Sequence, residues 1–329
     1  MTRAGLRPIA RQMRAYFAPV NRASGGATEA TAIFDPSQNS GFQLDAPSAP
    51  WIDLGWIDNF QRTSTSQIES LPGGAAGAVS AQARNALGAR VDFEFRDWGK
   101  LQMALAGGAE HMNVLATDPS ASPEGSGGIP VAAVPVLAGS TAAQLVLGAG
   151  AVSGFQSGDL VACDVDYAEQ VGYVGTGIAA GYVSNPADVQ NDANYVRRVT
   201  FNVGQVAQVT ATTLLLAQAL PGGMPAAGAS VQQVIAFVDR EGGAFLQQWS
   251  ALFVAEEESG GRLCFYYPIL SPCTAKAQWS RETLVEIKNP IAELALQASF
   301  TALPTVDIND GAVVLCYRSY FPAIGAPVY

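Results

Sequence analysis

Histidine occurs once in this 329-residue chain, at His111. A single imidazole removes the usual zinc sites and the Ser-His-Asp and Cys-His constellations, so a catalytic reading would have to rest on carboxylates alone. Cysteine is scarce as well. Cys163, Cys264, Cys273 and Cys316 show no CxxC spacing and three fall in strand-like stretches, which predicts buried free thiols in a reducing cytoplasm. Charge is the third shortage: 14% of residues are Asp, Glu, Lys or Arg, against roughly 25% in ordinary soluble domains. A surface so poor in charge is expected to be covered by something. The 28 acidic residues outnumber the 18 basic ones, and a formal charge of −10 argues against broad capture of nucleic acid through its phosphates. The P-loop, GxSxG and HExxH motifs are all missing, so no enzyme, no cofactor and no metal is expected.

Weaker matches have plainer explanations. YVGTGIAAGYV places Gly175, Gly177 and Gly181 near a dinucleotide fingerprint, but the spacing is imperfect and no βαβ pattern surrounds it, so a glycine-rich hairpin is expected. Asp159, Asp164 and Asp166 read as solvated strand edges rather than a cation site. Asp307, Asn309, Asp310 and Gly311 match part of a calcium loop without its terminal Glu, and predict a turn. The uncharged run Gly125 to Gly158 is long enough to span a bilayer, yet Pro130, Pro135, Gly139 and Gly148 interrupt it. It predicts β-structure and no membrane partner.

What the chain does have is strand pattern, with 34 glycines and 19 prolines to supply turns. Leu294, Leu296, Ala298 and Phe300 alternate with Glu293, Gln297, Ser299 and Thr301, as in a strand buried on one face. Ala312 to Phe321 is apolar on both faces, which calls for a second covering surface, either another sheet or another subunit. Val91, Phe93 and Phe95 alternate with Asp92, Glu94 and Arg96 ahead of a short helix, in which Asp97 is the expected cap, Trp98, Leu101 and Leu105 line one side and Gly107-Gly108 marks the end. WIDLGWIDNF reads as a core strand bulged at Gly55. Residues 61–85 are polar and then Gly/Ala-rich, and predict a long loop or hairpin that carries contacts.

These pieces imply a mainly β organisation in three parts. Residues 1–50 form an N-terminal arm and irregular lead-in segment. Arg3, Arg7, Arg11 and Arg14 fall on one side of a helix, with Leu6, Ile9, Met13 and Phe17 on another, which fits either a docking arm or a frayed basic tail. No apolar run follows the arginines, so a signal peptide is not expected. Residues 51–130 and 240–329 together form a β-sandwich with a flanking short α-helix; PSASPEGSGG leads from it into an insertion and Glu241-Gly242-Gly243 leads back. Residues 131–239 carry many short strands between turn signals and form an inserted all-β domain, a small barrel or sandwich.

The order of WIDLGWIDNF, a Ser/Thr-rich extended loop, VDFEFRDWGKLQMALAGG and late strands ending LCYRSYFP resembles the tail tube proteins of long-tailed bacteriophages. The resemblance covers residues 50–115 and 240–321 and rests on order and texture. It implies two packed antiparallel sheets with a flanking helix, hexameric rings, and stacking of rings into the tube through which DNA leaves the virion. Its implied partners are other copies of the chain and tail proteins such as the tape measure, the terminator and the baseplate or tip, with DNA passing without specific binding. It implies a protein of the virion tail, assembled in the bacterial host cytoplasm. Thr63, Ser64, Thr65, Ser66, Gln67, Ile68, Glu69 and Ser70 are then the expected inter-subunit loop, and the inserted domain is expected on the tube exterior. Three other readings stay open: another virion part such as a capsid decoration, tail-end or baseplate protein; the tube of a contractile injection system; and a carboxylate-dependent polysaccharide-degrading enzyme.

Overall fold

A computed structural model of the chain describes residues 10–20, 31–48, 50–73, 78–97, 99–108, 110–116, 131–164, 172–174, 178–180, 202–220, 222–240, 247–258, 260–273 and 296–323. The chain divides into two compact units, Met1–Gly108 with Leu246–Tyr329, and Ala109–Phe245. Contacts therefore draw the first boundary at 108/109, where the sequence reading draws it at 130/131. The first unit begins with β1 (Ala10–Pro19), β2 (Ile52–Gly73), β3 (Ala78–Phe95) and the helix α1 (Lys100–Gly107). The second holds β4 (Glu110–Leu115), β5 (Val134–Pro135), β6 (Gln144–Val146), β7 (Leu160–Asp164), β8 (Gly172–Val174), β9 (Ile178–Ala180), β10 (Val203–Val209), β11 (Thr213–Leu216) and β12 (Ser230–Arg240). The first unit resumes with β13 (Trp249–Glu257), β14 (Arg262–Pro272), β15 (Leu296–Ala302), β16 (Thr305–Val306), β17 (Val313–Val314) and β18 (Tyr317–Phe321).

In the first unit the strands run β13-β1-β2-β3-β15-β14, and β14 pairs back onto β13, so six antiparallel strands close into a barrel. β18 adds to β14 beside the ring, pairing over Arg262–Tyr266. The expected pair of stacked sheets is replaced by closure. Two bulges in β2 help to bend it: Gly55 (φ 85) lies opposite the register break between Arg14 and Tyr16, and Asn59 (φ 53) lies in the break between Asp58 and Gln61. Aromatic side chains from four strands fill the ring. Phe93 stacks on Phe300 with centroids 5.8 Å apart, and Phe17 meets Phe253 edge-on at the same distance.

The outer face of β1, β13 and β14 is apolar too, which is why those strands are buried on both sides. An irregular strap, residues 31–51, covers it with Ala32, Phe34, Phe42 and Trp51 against Tyr16, Leu252, Val254 and Tyr266. The two tyrosine hydroxyls beneath the strap are matched. Tyr266 Oη donates to the Ala32 carbonyl at 2.7 Å and Tyr16 Oη to the Leu44 carbonyl at 3.0 Å.

Three local expectations are corrected. Residues 10–19 form a strand, not part of a helix: a spacing of four fits a period of two as well as 3.6, and pairing of β1 with both β13 and β2 decides the matter. The N-cap of α1 is Gly99, which makes no side-chain cap bond, while Gly108 closes the helix in the left-handed region at φ 59. Ala312 to Phe321 is two short strands broken at Leu315-Cys316 rather than one, with Val313 and Tyr317 exposed in the single chain. In contrast, Val91, Phe93, Phe95, Leu296, Ala298 and Phe300 are all buried, as their alternation predicts.

Among its described residues the second unit has one sheet, ordered β6-β11-β10-β7-β12-β4-β9-β8, with β5 also on β12. Just past β5, Leu137 N donates to the Val146 carbonyl at 2.7 Å, which brings β6 round to the other end and curls the sheet about a core of Leu145, Val161, Val206, Leu214, Leu216 and Val231. β8 and β9 form the antiparallel hairpin expected around the glycines, although Gly175, Gly177 and Gly181 lie outside the described residues. So do Asp166, Glu293 and Leu294.

Candidate interaction surface

The longest strands of the first unit are longer than the barrel. β1 pairs with β2 over Ile52–Ile57, and β15 pairs with β3 over Ala89–Phe95. Beyond those ranges, from Thr65 opposite Gly88 to Gly73 opposite Ala78, β2 and β3 pair only with each other. The expected long loop or hairpin is thus a two-stranded ribbon that leaves the barrel, and Gln61 through Ser70 are all exposed. Strand alternation divides its side chains between two faces. Arg62, Ser64, Ser66, Ile68 and Ser70 share one face with Leu87, the register partner of Ser66; Thr63, Thr65, Gln67 and Glu69 share the other.

A polar latch holds the root of the ribbon. Arg96 Nη2 donates to Asp58 Oδ1 at 2.6 Å, and that hydrogen bond holds the Asp58 carboxyl below its ordinary value. Asn59 and Gln297 donate to the two oxygens of Glu94 at 2.8 and 3.0 Å. Arg90 reaches Asp92 at 3.0 Å and Ser299 at 3.1 Å, and Ser299 donates to Asp92 in turn. Asp92 and Glu94 line a polar depression with Gln61, Gln297 and Ser299. Both carboxylates thus accept hydrogen bonds from neighbouring side chains of β2, β3 and β15.

A second exposed feature lies near the C-terminus. β16 and β17 form a hairpin in which Val306 and Val313 are direct register partners, 65% and 58% exposed, and Ile308 in the connecting turn is 94% exposed. Asp307 accepts from the Asn309 amide at 2.9 Å, Asp310 accepts from the Ala312 amide at 2.8 Å, and Gly311 takes φ 72. The carboxylates stabilise the predicted turn. The Asn309 amide, followed by the Tyr317 hydroxyl 2.8 Å away, holds the Asp307 carboxyl below its usual range. Sequence alternation did not single out this hairpin, because apolar residues at an exposed turn look the same in sequence as apolar residues in a core strand.

Of the expected docking arginines, Arg3 and Arg7 lie outside the described residues, and Arg11 is described only as backbone in β1. Arg14 is engaged within the chain. Its Nε donates to Asp53 at 3.0 Å, its Nη1 to Asp45 at 2.6 Å, and its guanidinium sits 5.1 Å from the Trp56 ring centre. It fastens the strap to the barrel. All four cysteines are free; Cys163 and Cys264 are buried, and burial pushes the Cys264 thiol up to about 11. Among the described residues no group of three or more His, Cys, Asp or Glu is placed to hold a metal ion, and no helix is long and apolar enough to cross a membrane. No protein-family model matches the sequence, and no curated protein sequence matches it.

Proposed function

We propose that the chain is a structural protein of a bacteriophage virion, assembling into hexameric rings that stack into the tail tube. The observation that carries this reading is the ribbon. A two-stranded ribbon is marginal in water by itself, and this one exposes ten consecutive residues, Gln61 to Ser70, along β2. A neighbouring copy supplies the missing surface. Thr63 to Ser70 are the inter-subunit contact, and the edge of β18 left unpaired among the described residues is a second place where copies can join. In this reading the barrel with β18 and α1 stands for the two packed sheets and flanking helix of tail tube proteins, and the second unit decorates the tube exterior. A formal charge of −10 suits a conduit, because a lining that neutralised phosphates would retard DNA by binding it. The enzyme reading is weakened by the commitment of Asp92 and Glu94 to internal hydrogen bonds.

Negative-stain microscopy of concentrated purified protein tests the proposal. Rings and tubes of constant width are expected. Protein that stays monomeric at every concentration, even when seeded with tail initiation complexes, would overturn it, and compact particles or single rings that never stack would transfer it to another part of the virion.

A further inference from the structure

Six polar side chains from three neighbouring strands meet on the outside of the barrel. Gln61, Asp92 and Ser299 are register partners in a row across β2, β3 and β15, and Glu94 and Gln297 are partners in the next row. Asn59, inside the β2 bulge at φ 53, completes the set. Together they line a depression of about 190 Å³, floored by the buried Phe93 and Ala298.

The hydrogen bonds within this patch decide what it can hold. Arg90 lies across both oxygens of Asp92 at 3.0 and 3.1 Å, so that charge is already balanced. Each oxygen of Glu94 receives one amide N–H, from Asn59 at 2.8 Å and from Gln297 at 3.0 Å. A metal ion would have to displace those donors, and an anion would meet two carboxylates. An ionised carboxylate has about four acceptor sites, so Glu94 keeps capacity to spare, and each amide keeps a carbonyl oxygen and a second N–H. Acceptors and donors therefore stand side by side, oriented in advance by their neighbours. Such an array matches a neutral molecule whose groups both donate and accept, which is the chemistry of sugar hydroxyls.

We infer that the depression binds one ring of a neutral sugar. Ring hydroxyls donate to Asp92 and Glu94 and accept from the amides of Asn59, Gln61 and Gln297. A site this open holds a single ring weakly, with a Kd on the order of 1 mM. The inference does not depend on assembly of the chain.

Saturation-transfer NMR on the full-length protein tests it, with methyl α-glucoside, methyl α-mannoside and methyl β-galactoside as probes and glucuronate and glycerol as controls. At about 10 mM at least one glycoside should receive saturation, and both controls far less. Asn59→Gly removes an amide where φ 53 suits glycine, and Gln61→Ala trims an exposed side chain, so circular dichroism of both variants should match the wild type. Each should bind the glycoside about threefold or more weakly, the loss expected for one hydrogen bond. Three results overturn the inference: no saturation of any glycoside, a control that binds as well as the glycosides, or wild-type affinity in either folded variant. Ring and tube formation is read separately by microscopy, so failure here leaves the assembly reading standing.

Discussion

At Arg14 two carboxylates share one guanidinium, and solvent decides which pairing matters. The Asp45 side chain is 92% exposed, so its ion pair sits in nearly bulk dielectric, whereas Asp53 and Arg14 are largely shielded. Asp45→Asn should change stability by no more than about 0.5 kcal/mol. Arg14→Met should cost about 1–3 kcal/mol, because it strands a half-buried carboxylate, and urea unfolding of the two variants reads the difference directly. Glycines make a similar contrast. Gly55 has φ 85 and a methyl there would collide with the Asp97 carboxylate, so Gly55→Ala should destabilise by about 1–2 kcal/mol. Gly88 has no such backbone requirement and meets only the exposed Thr65 hydroxyl, so Gly88→Ala should stay within about 0.5 kcal/mol. The thiols divide by burial. At pH 8 the Cys264 thiol, raised to about 11, is almost wholly protonated, so a thiol-reactive dye should label Cys273 of the native protein well before Cys264, as peptide mapping would show.

At the scale of elements, the ribbon is separable from the barrel that holds it. Replacing residues 65–88, between the register partners Ser64 and Ala89, with a two-residue Asn-Gly turn removes only pairs that β2 and β3 make with each other, so the melting temperature should change little while ring formation is lost. In the intact protein, amides of Thr63 to Ser70 should gain hydrogen-exchange protection on assembly; equal protection in monomer and assembly would count against an inter-subunit role. Much of this level was legible in sequence. The alternation of Val91, Phe93 and Phe95 with Asp92 and Glu94 marks the buried and solvated faces of β3, and WIDLGWIDNF announces the bulge at Gly55. Alternation tells which side of a strand is buried but not what buries it, and for that reason barrel closure and the strap of residues 31–51 were not foreseen. β1 was missed because its arginine spacing suits two periods. The latch of Asn59, Glu94 and Gln297 depends on residues 203 apart meeting across β3 and β15, a pairing that no local pattern encodes.

At the scale of the molecule, charge is divided unequally. Residues 109–245 hold eleven acidic and three basic residues, so they carry −8 of the formal −10 and leave −2 on the first unit. Each unit also has its own apolar core, centred on Leu214 and Val231 in one and on Tyr16 and Tyr266 in the other. Joining Gly108 to Leu246 through a short Gly/Ser linker should therefore leave the first unit folded and able to form rings, with an unchanged inner diameter and a smaller outer one in reconstructions. Loss of rings, or a second unit found lining the channel, would contradict its exterior placement.

The filled ring of six strands has a consequence for transport. Even eight-stranded barrels have interiors just wide enough for side chains, and here Phe17, Phe93, Phe253 and Phe300 already occupy the axis. Nothing can thread the barrel of the first unit. In the proposed tube the bore would be bounded by the outsides of several copies, so its calibre would be set by how many subunits complete a turn, and a change in subunit number would alter what passes without altering one residue of the barrel.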